Sequence, residues 1–162
     1  MQTNTDTLMA GNLDRRQPTD VASPCLIATF WLGSDFFGID IEWVQEILRA
    51  QEMTPVPLAP EYVAGLINLR GQIIMALHLK KLIYNQTLTH KTDSMNLVVR
   101  HDEDVISLLI DEVGDVLELN RDEMLSVPPT VTTIKAAYLR GVYPLNDRLL
   151  LVLNMERVLT LS

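Results

Sequence analysis

The chain has 162 residues, 48% hydrophobic and 21% charged, a composition that supports one folded domain with a real core and excludes a wholly disordered chain. Thirteen basic against 21 acidic residues leave a net charge of −8, which repels nucleic-acid phosphates and anionic lipid headgroups, and an aromatic share of 6% leaves few rings to stack on bases. Cys25 is the single cysteine, so an internal disulfide and a cysteine-based zinc cluster are excluded, and a cytosolic setting is the plain reading.

Residues 1–24 are polar, with Pro18 and Pro24, and read as a disordered N-terminal tail without the apolar centre of a signal peptide. The folded part is expected over 25–162, where no stretch reaches the ~20 apolar residues of a membrane span. Residues 25–32 and 36–41 form a hairpin around the turn Gly33-Ser34-Asp35. The stretch 42–50 fits a short helix or a strand, because Val44, Ile47 and Leu48 have helical spacing over a brief run. Pro55, Pro57 and Pro60 punctuate a connector, and Pro60 suits the start of a short helix over 61–67. Residues 73–77 read as a strand buried on both faces, followed by a short helix over 79–83.

The polar stretch 85–94 is the expected boundary between two subdomains. Beyond it, 96–100 and 105–110 form a second hairpin, 116–119 adds a strand, and Pro128-Pro129 interrupts the chain. Tyr138 to Tyr143, a turn at Pro144-Leu145-Asn146-Asp147 and a buried strand over 148–153 follow, and Asn154 is placed to cap a last helix over 155–159. Many short strands with stub helices predict an all-β, barrel-like architecture in two similar parts.

The two parts are visible as a repeat. Tyr62-Val63-Ala64-Gly65-Leu66-Ile67 returns 76 positions later as Tyr138-Leu139-Arg140-Gly141-Val142-Tyr143, and the correspondence continues without a gap to Leu82 and Val158. Looser echoes link Ile39-Asp40, Val44 and Ile47 to Ile110-Asp111, Val113 and Val116. Two copies imply a duplicated frame and not a solenoid, which needs at least three repeats.

Catalytic chemistry finds little to work with. His78, His90 and His101 lack carboxylates or cysteines at metal-ligand spacing, and Gly33-Ser34-Asp35 lacks the flanking glycines of a nucleophile elbow. Asp102-Glu103-Asp104 is not a calcium loop, and Gly65 and Gly71 lack the lysine and hydroxyl of a phosphate loop. Neither a cofactor nor a metal is expected. What remains is a break in the repeat, where Asn68-Leu69-Arg70-Gly71 is answered by Pro144-Leu145-Asn146-Asp147 without an arginine. Arg70 either serves an interface outside the fold, as a planar bidentate donor, or pairs with a nearby carboxylate. Glu46 likewise is either a functional polar group or a solvated face residue.

The segment from Gly65 to Ile83, GLINLRGQIIMALHLKKLI, resembles the signature of the CheW family of chemotaxis coupling proteins, supported in order by FFGIDIEWVQEI, LLIDEVGDVLEL and RLLLVLNMERVL. The resemblance spans nearly all of the folded part. It implies two five-stranded SH3-like β-barrels around a shared hydrophobic core, no catalysis and no cofactor. It also implies an adaptor between the cytoplasmic hairpin tips of chemoreceptors and the regulatory domain of the histidine kinase CheA, held at the inner face of the membrane through receptor arrays without touching lipid. By position, Arg70, Asn68, Gly65, Val113 and Val116 fall in the receptor-binding region, and Val44 and Glu46 match residues implicated in coupling. An array driving pilus motility or phototaxis is the alternative within that class, and a small-ligand-binding barrel the distant one. His78 departs from the family pattern, standing where an aspartate commonly caps the helix.

Overall fold

The computed structural model describes residues 24–85 and 94–160; Pro24 apart, the expected tail lies outside the described residues, as does the stretch 86–93. Strands β1 (Pro24–Leu32) and β2 (Asp35–Asp40) form the expected hairpin, closed by Gly33-Ser34 with Gly33 at φ 61°. The ambiguous stretch that follows resolves into a 3-10 turn, Ile41–Trp43, and a strand, β3 (Val44–Leu48). Strands β4 (Val63–Leu69) and β5 (Gln72–His78) lead into helix α1 (Leu79–Ile83). The second half repeats the plan with β6 (Met95–His101), β7 (Asp104–Ile110), β8 (Glu112–Asn120), β9 (Leu139–Pro144), β10 (Leu149–Leu153) and α2 (Met155–Leu159).

One expectation fails at 61–67, where a strand replaces the helix. Its backbone pairs with β5 from Val63↔Leu77 to Leu69↔Gln72, and this ladder overrides the weak local preference that Pro60 suggests. The stub helices do form where expected. Each buries an i, i+3, i+4 stripe, Leu79, Leu82 and Ile83 in α1 and Met155, Val158 and Leu159 in α2. Asn154 caps α2 by accepting from the Arg157 N–H at 3.2 Å, whereas His78 makes no side-chain cap hydrogen bond to α1.

The ten strands form two five-stranded sheets, in the orders β8-β1-β2-β10-β9 and β3-β6-β7-β5-β4. The sheets do not divide at 85–94. Each takes its hairpin from one sequence copy and its last three strands from the other, so the copies are intertwined and are not themselves the subdomains. Two parallel seams join the exchanged pieces, β10 to β2 through Leu151↔Phe37 and β5 to β7 through Met75↔Ile106. A boundary between the halves leaves every one of these seams without a partner, which is why the sequence division and the structural one differ.

The exchange also places the core. Along the seam strands, alternate residues face a shared core and a smaller one belonging to a single sheet: Phe37, Leu151 and Leu153 meet Leu77, Leu108 and α1 in the first, while Phe36, Leu150 and Val152 meet Ile27 and Tyr143 in the second. Ile74, Ala76 and Val98 form the corresponding small core of the other sheet. The expected burial of 73–77 on both faces therefore holds for Ile74, Ala76 and Leu77, whereas Met75 is half-buried and Ile73, at the strand's start, is 60% exposed.

A glycine stands at the same bulge in both copies. Residue 65 or 141 follows a bulged position, and a Cβ there meets a carbonyl oxygen of the neighbouring chain, Thr54 O at 2.7 Å or Leu125 O at 2.6 Å. Those neighbours bridge back to Leu66 and Val142 through paired backbone hydrogen bonds of 2.8–2.9 Å, so they have little room to retreat. Gly65 is further constrained by φ +154°, a region closed to side chains. Gly65→Ala is expected to cost about 2–3 kcal/mol, seen as a fall of about 5–10 °C in the thermal unfolding midpoint. An unchanged midpoint would remove Gly65 from this structural role.

Candidate functional site

The β4–β5 hairpin closes in a two-residue turn, Arg70-Gly71, with φ 53° and 87°, the two positive values of a type I′ turn. Gly71 accepts this conformation freely; Arg70 is unusual there, since residues with a Cβ seldom adopt it. Asn68 supports the turn by accepting the Gly71 N–H at 2.9 Å. The outcome is an arginine presented at the apex of a short, well-fixed hairpin.

Arg70 reaches across to β3. Its two terminal nitrogens donate to the two carboxylate oxygens of Glu46 at 2.6 and 2.7 Å, the planar fork-to-fork geometry that only arginine provides. Strands β3 and β4 are the opposite edges of their sheet, so this pair ties the edges together at one end. The hydrogen bond from Arg70 holds the Glu46 carboxyl below its ordinary value, and Glu46 raises that of Arg70. With its pKa depressed, Glu46 keeps the pair at neutral pH and releases it only as pH falls below the usual carboxylate range. Pairing does not hide the guanidinium: the Arg70 side chain remains 70% exposed, against 21% for Glu46. Both readings of Arg70 therefore meet in one geometry, a carboxylate partner and a face open to solvent.

The other sheet uses its matching turn differently. Arg148, at the end of the 144–147 turn, donates to Asp147 and lies over the rings of Trp31 and Phe36, 4.9 and 5.4 Å from their centroids. Its charge is folded onto its own sheet.

The seven residues expected at the site fall into two groups. Val44, Glu46, Gly65, Asn68 and Arg70 belong to β3, β4 and their hairpin turn; Val113 and Val116 stand on β8, an edge of the other sheet. The described hydrogen bonds and ion pairs join the first group internally but do not link it to the second. Within the first group Gly65 is buried in its bulge and Val44 is half-buried against the shared core, so neither offers much surface. Val113 and Val116 are 36% and 51% exposed. Sequence reasoning missed two exposed apolar residues on the same elements: Ile47, next to Glu46 in β3 and on the opposite face of that strand, and Ile73, the register partner of Asn68 on the Arg70 hairpin. The continuous apolar run 73–77 concealed Ile73, since such runs suggest burial, and the helix-or-strand ambiguity of 42–50 left the face of Ile47 unassigned.

No group of three or more histidine, cysteine, aspartate or glutamate side chains capable of holding a metal occurs among the described residues. No helix among them is long and apolar enough to cross a membrane. The geometry thus offers a rigid polar hairpin with apolar neighbours, suited to contacting another macromolecule.

Residues 27–162 match the family model of the CheW-like domain. The chain belongs to the CheW family. The CheW-like domain here is 30% identical over 136 residues to the chemotaxis protein CheW of Treponema pallidum, covering 82% of this chain and 80% of that one. It is also 30% identical over 131 residues to the chemotaxis protein CheW of Klebsiella aerogenes, covering 81% and 79%. Among solved structures, the scaffolding protein TtCheW from Thermoanaerobacter tengcongensis superposes with a TM-score of 0.72 at 30% identity, over 82% of this chain and 90% of that one. The intertwined sheets described above are therefore the frame of a CheW-like domain, and Arg70, Glu46 and β8 are positions on its surface.

Proposed function

We propose that this CheW-like domain is a non-enzymatic coupling adaptor, joining the cytoplasmic tips of chemoreceptors to the histidine kinase CheA in the cytoplasm. The observation that carries the reading is the Arg70 guanidinium, fixed by Glu46 yet 70% exposed, on a hairpin whose second strand also exposes Ile73. A charged donor held in one orientation on a hairpin that also exposes an apolar side chain suits the side of a receptor helix, which presents apolar and polar groups in alternation. Val113 and Val116, on β8, supply a second apolar strip for the same assembly. The names of the relatives, chemotaxis proteins and a scaffolding protein, support this class of function.

Membranes carrying receptors are the direct test. The protein is expected to sediment with receptor-bearing membranes, more so when CheA is added, and to stay in solution with receptor-free membranes. Equal recovery with and without receptors would refute receptor coupling.

A further inference from the structure

The repeat places two equivalent junctions in one molecule, and they are built differently. At the first, Asp111 follows β7 and receives both the Gly33 N–H at 2.6 Å and the Lys80 ammonium at 2.8 Å. The Lys80 and Asp111 side chains are only 13% and 11% exposed, and the space left beside them is about 10 Å³. This junction is closed by its own cation.

At the second junction Asp40, at the end of β2, takes the place of Asp111. The residue 76 positions beyond Lys80 is Glu156, so the cation is replaced by a carboxylate. A cavity of about 490 Å³ stands there, lined by Asp40, Glu42, Trp43, Arg140 and Glu156 among others. The nearest cations to Asp40 are Arg140 at 3.5 Å and Arg121 at 3.7 Å, longer than the ~2.7–2.9 Å of a close charge-assisted hydrogen bond. They offset the Asp40 charge from the wall. Among the described residues, neither Glu42 nor Glu156 has an ion-pair partner, so the lining carries more negative than positive charge. Trp43 supplies an apolar wall, its ring held against His101 at a centroid distance of 4.7 Å.

We propose that this cavity binds a small organic ammonium ion, its charged head among Asp40, Glu42 and Glu156 and its carbon chain against Trp43. The head takes the role that the Lys80 ammonium plays in the closed junction. The cavity volume is ample for such a ligand, since pockets for small molecules span ~300–1,000 Å³. The indole face adds attraction for a cation, and the net charge of −8 concentrates cations near the surface. Because Asp40 ends a strand of one sheet and His101 a strand of the other, occupancy bears on the joint between the sheets.

The probe is n-butylammonium chloride, which is the lysine side chain freed from its backbone, titrated at constant ionic strength against sodium chloride. The indole N–H resonances of Trp43 and Trp31 report on the cavity and on a distant surface. A saturable shift at Trp43 with Trp31 unmoved is expected. Glu156→Lys, which copies the closed junction, is expected to weaken binding by at least about tenfold, and Glu156→Gln to weaken it less. Absence of a saturable Trp43 shift, or an affinity unchanged in the folded Glu156→Lys protein, would overturn the proposal. So would a Trp43 shift with sodium succinate in place of butylammonium, which would make the cavity an anion site of Arg121 and Arg140. If Glu156→Lys does not fold, unchanged affinity in Glu156→Gln is the overturning result.

Discussion

Divided between Asn85 and Ser94, the protein is expected to yield two halves that cannot fold alone but assemble with each other into the native structure. The first half carries β1 to β5 and the second β6 to β10, yet neither sheet is made from one half: β8, β9 and β10 complete the sheet of β1 and β2, while β6 and β7 fill the centre of the sheet of β3, β4 and β5. Separation would expose strand edges along the seams β1–β8, β2–β10, β3–β6 and β5–β7. It would also open the shared core, in which Phe30, Phe37 and Leu77 of the first half pack with Leu108, Leu151 and Val158 of the second. Burial of each such side chain is worth about 1.5–3 kcal/mol, so neither half alone retains enough to offset its chain entropy. Unpaired edges of this length also invite aggregation. Co-expressed halves are expected to purify as a one-to-one complex with a cooperative unfolding transition, whereas each alone gives none. A half that unfolds cooperatively as a monomer would contradict the intertwined topology.

The second large effect is functional. Arg70→Glu is expected to leave the midpoint of thermal unfolding close to that of the wild type, because the pair with Glu46 lies at an exposed hairpin apex. Receptor-stimulated kinase activity should nonetheless fall by at least about tenfold, since a reversed charge opposes a contact that an interface needs. Exchanging the charges separates the two tasks of the residue. In the double variant Glu46→Arg, Arg70→Glu, the ion pair between β3 and the turn can form again, but the guanidinium has left the hairpin apex. Coupling is expected to stay lost. Recovery would instead mean that the pair acts only by tying the edge strands together.

Much of this architecture is legible in the residues. Hairpin turns such as Gly33-Ser34, alternating β-branched runs and the i, i+3, i+4 stripes of the stub helices are local signals, and the 76-residue repeat orders them. The partners of the strands are not local. Nothing in Phe36-Phe37 indicates that it lies parallel to Leu150-Leu151 and not beside a strand of its own copy, so the exchange of hairpins escapes a reading by segments. The helix expected over 61–67 is absent for a related reason: Pro60 suits a first helical turn, but the ladder with β5 decides the outcome. At the site, the break in the repeat pointed to Arg70, whereas its partner lies 24 residues away on the opposite edge strand and becomes visible only once the sheet is assembled. The junction cavity draws its walls from residues 40, 42, 43, 101, 121, 140 and 154–156, a set that no spacing rule connects.

The most direct test of the coupling role is phosphorylation by CheA, reconstituted with receptor-bearing membranes from the same cell and with this protein present or absent. Coupling predicts that kinase activity comes under receptor control only when the protein is present, and that folded Arg70→Glu protein fails to confer it. Receptor control that is the same without the protein would contradict the account.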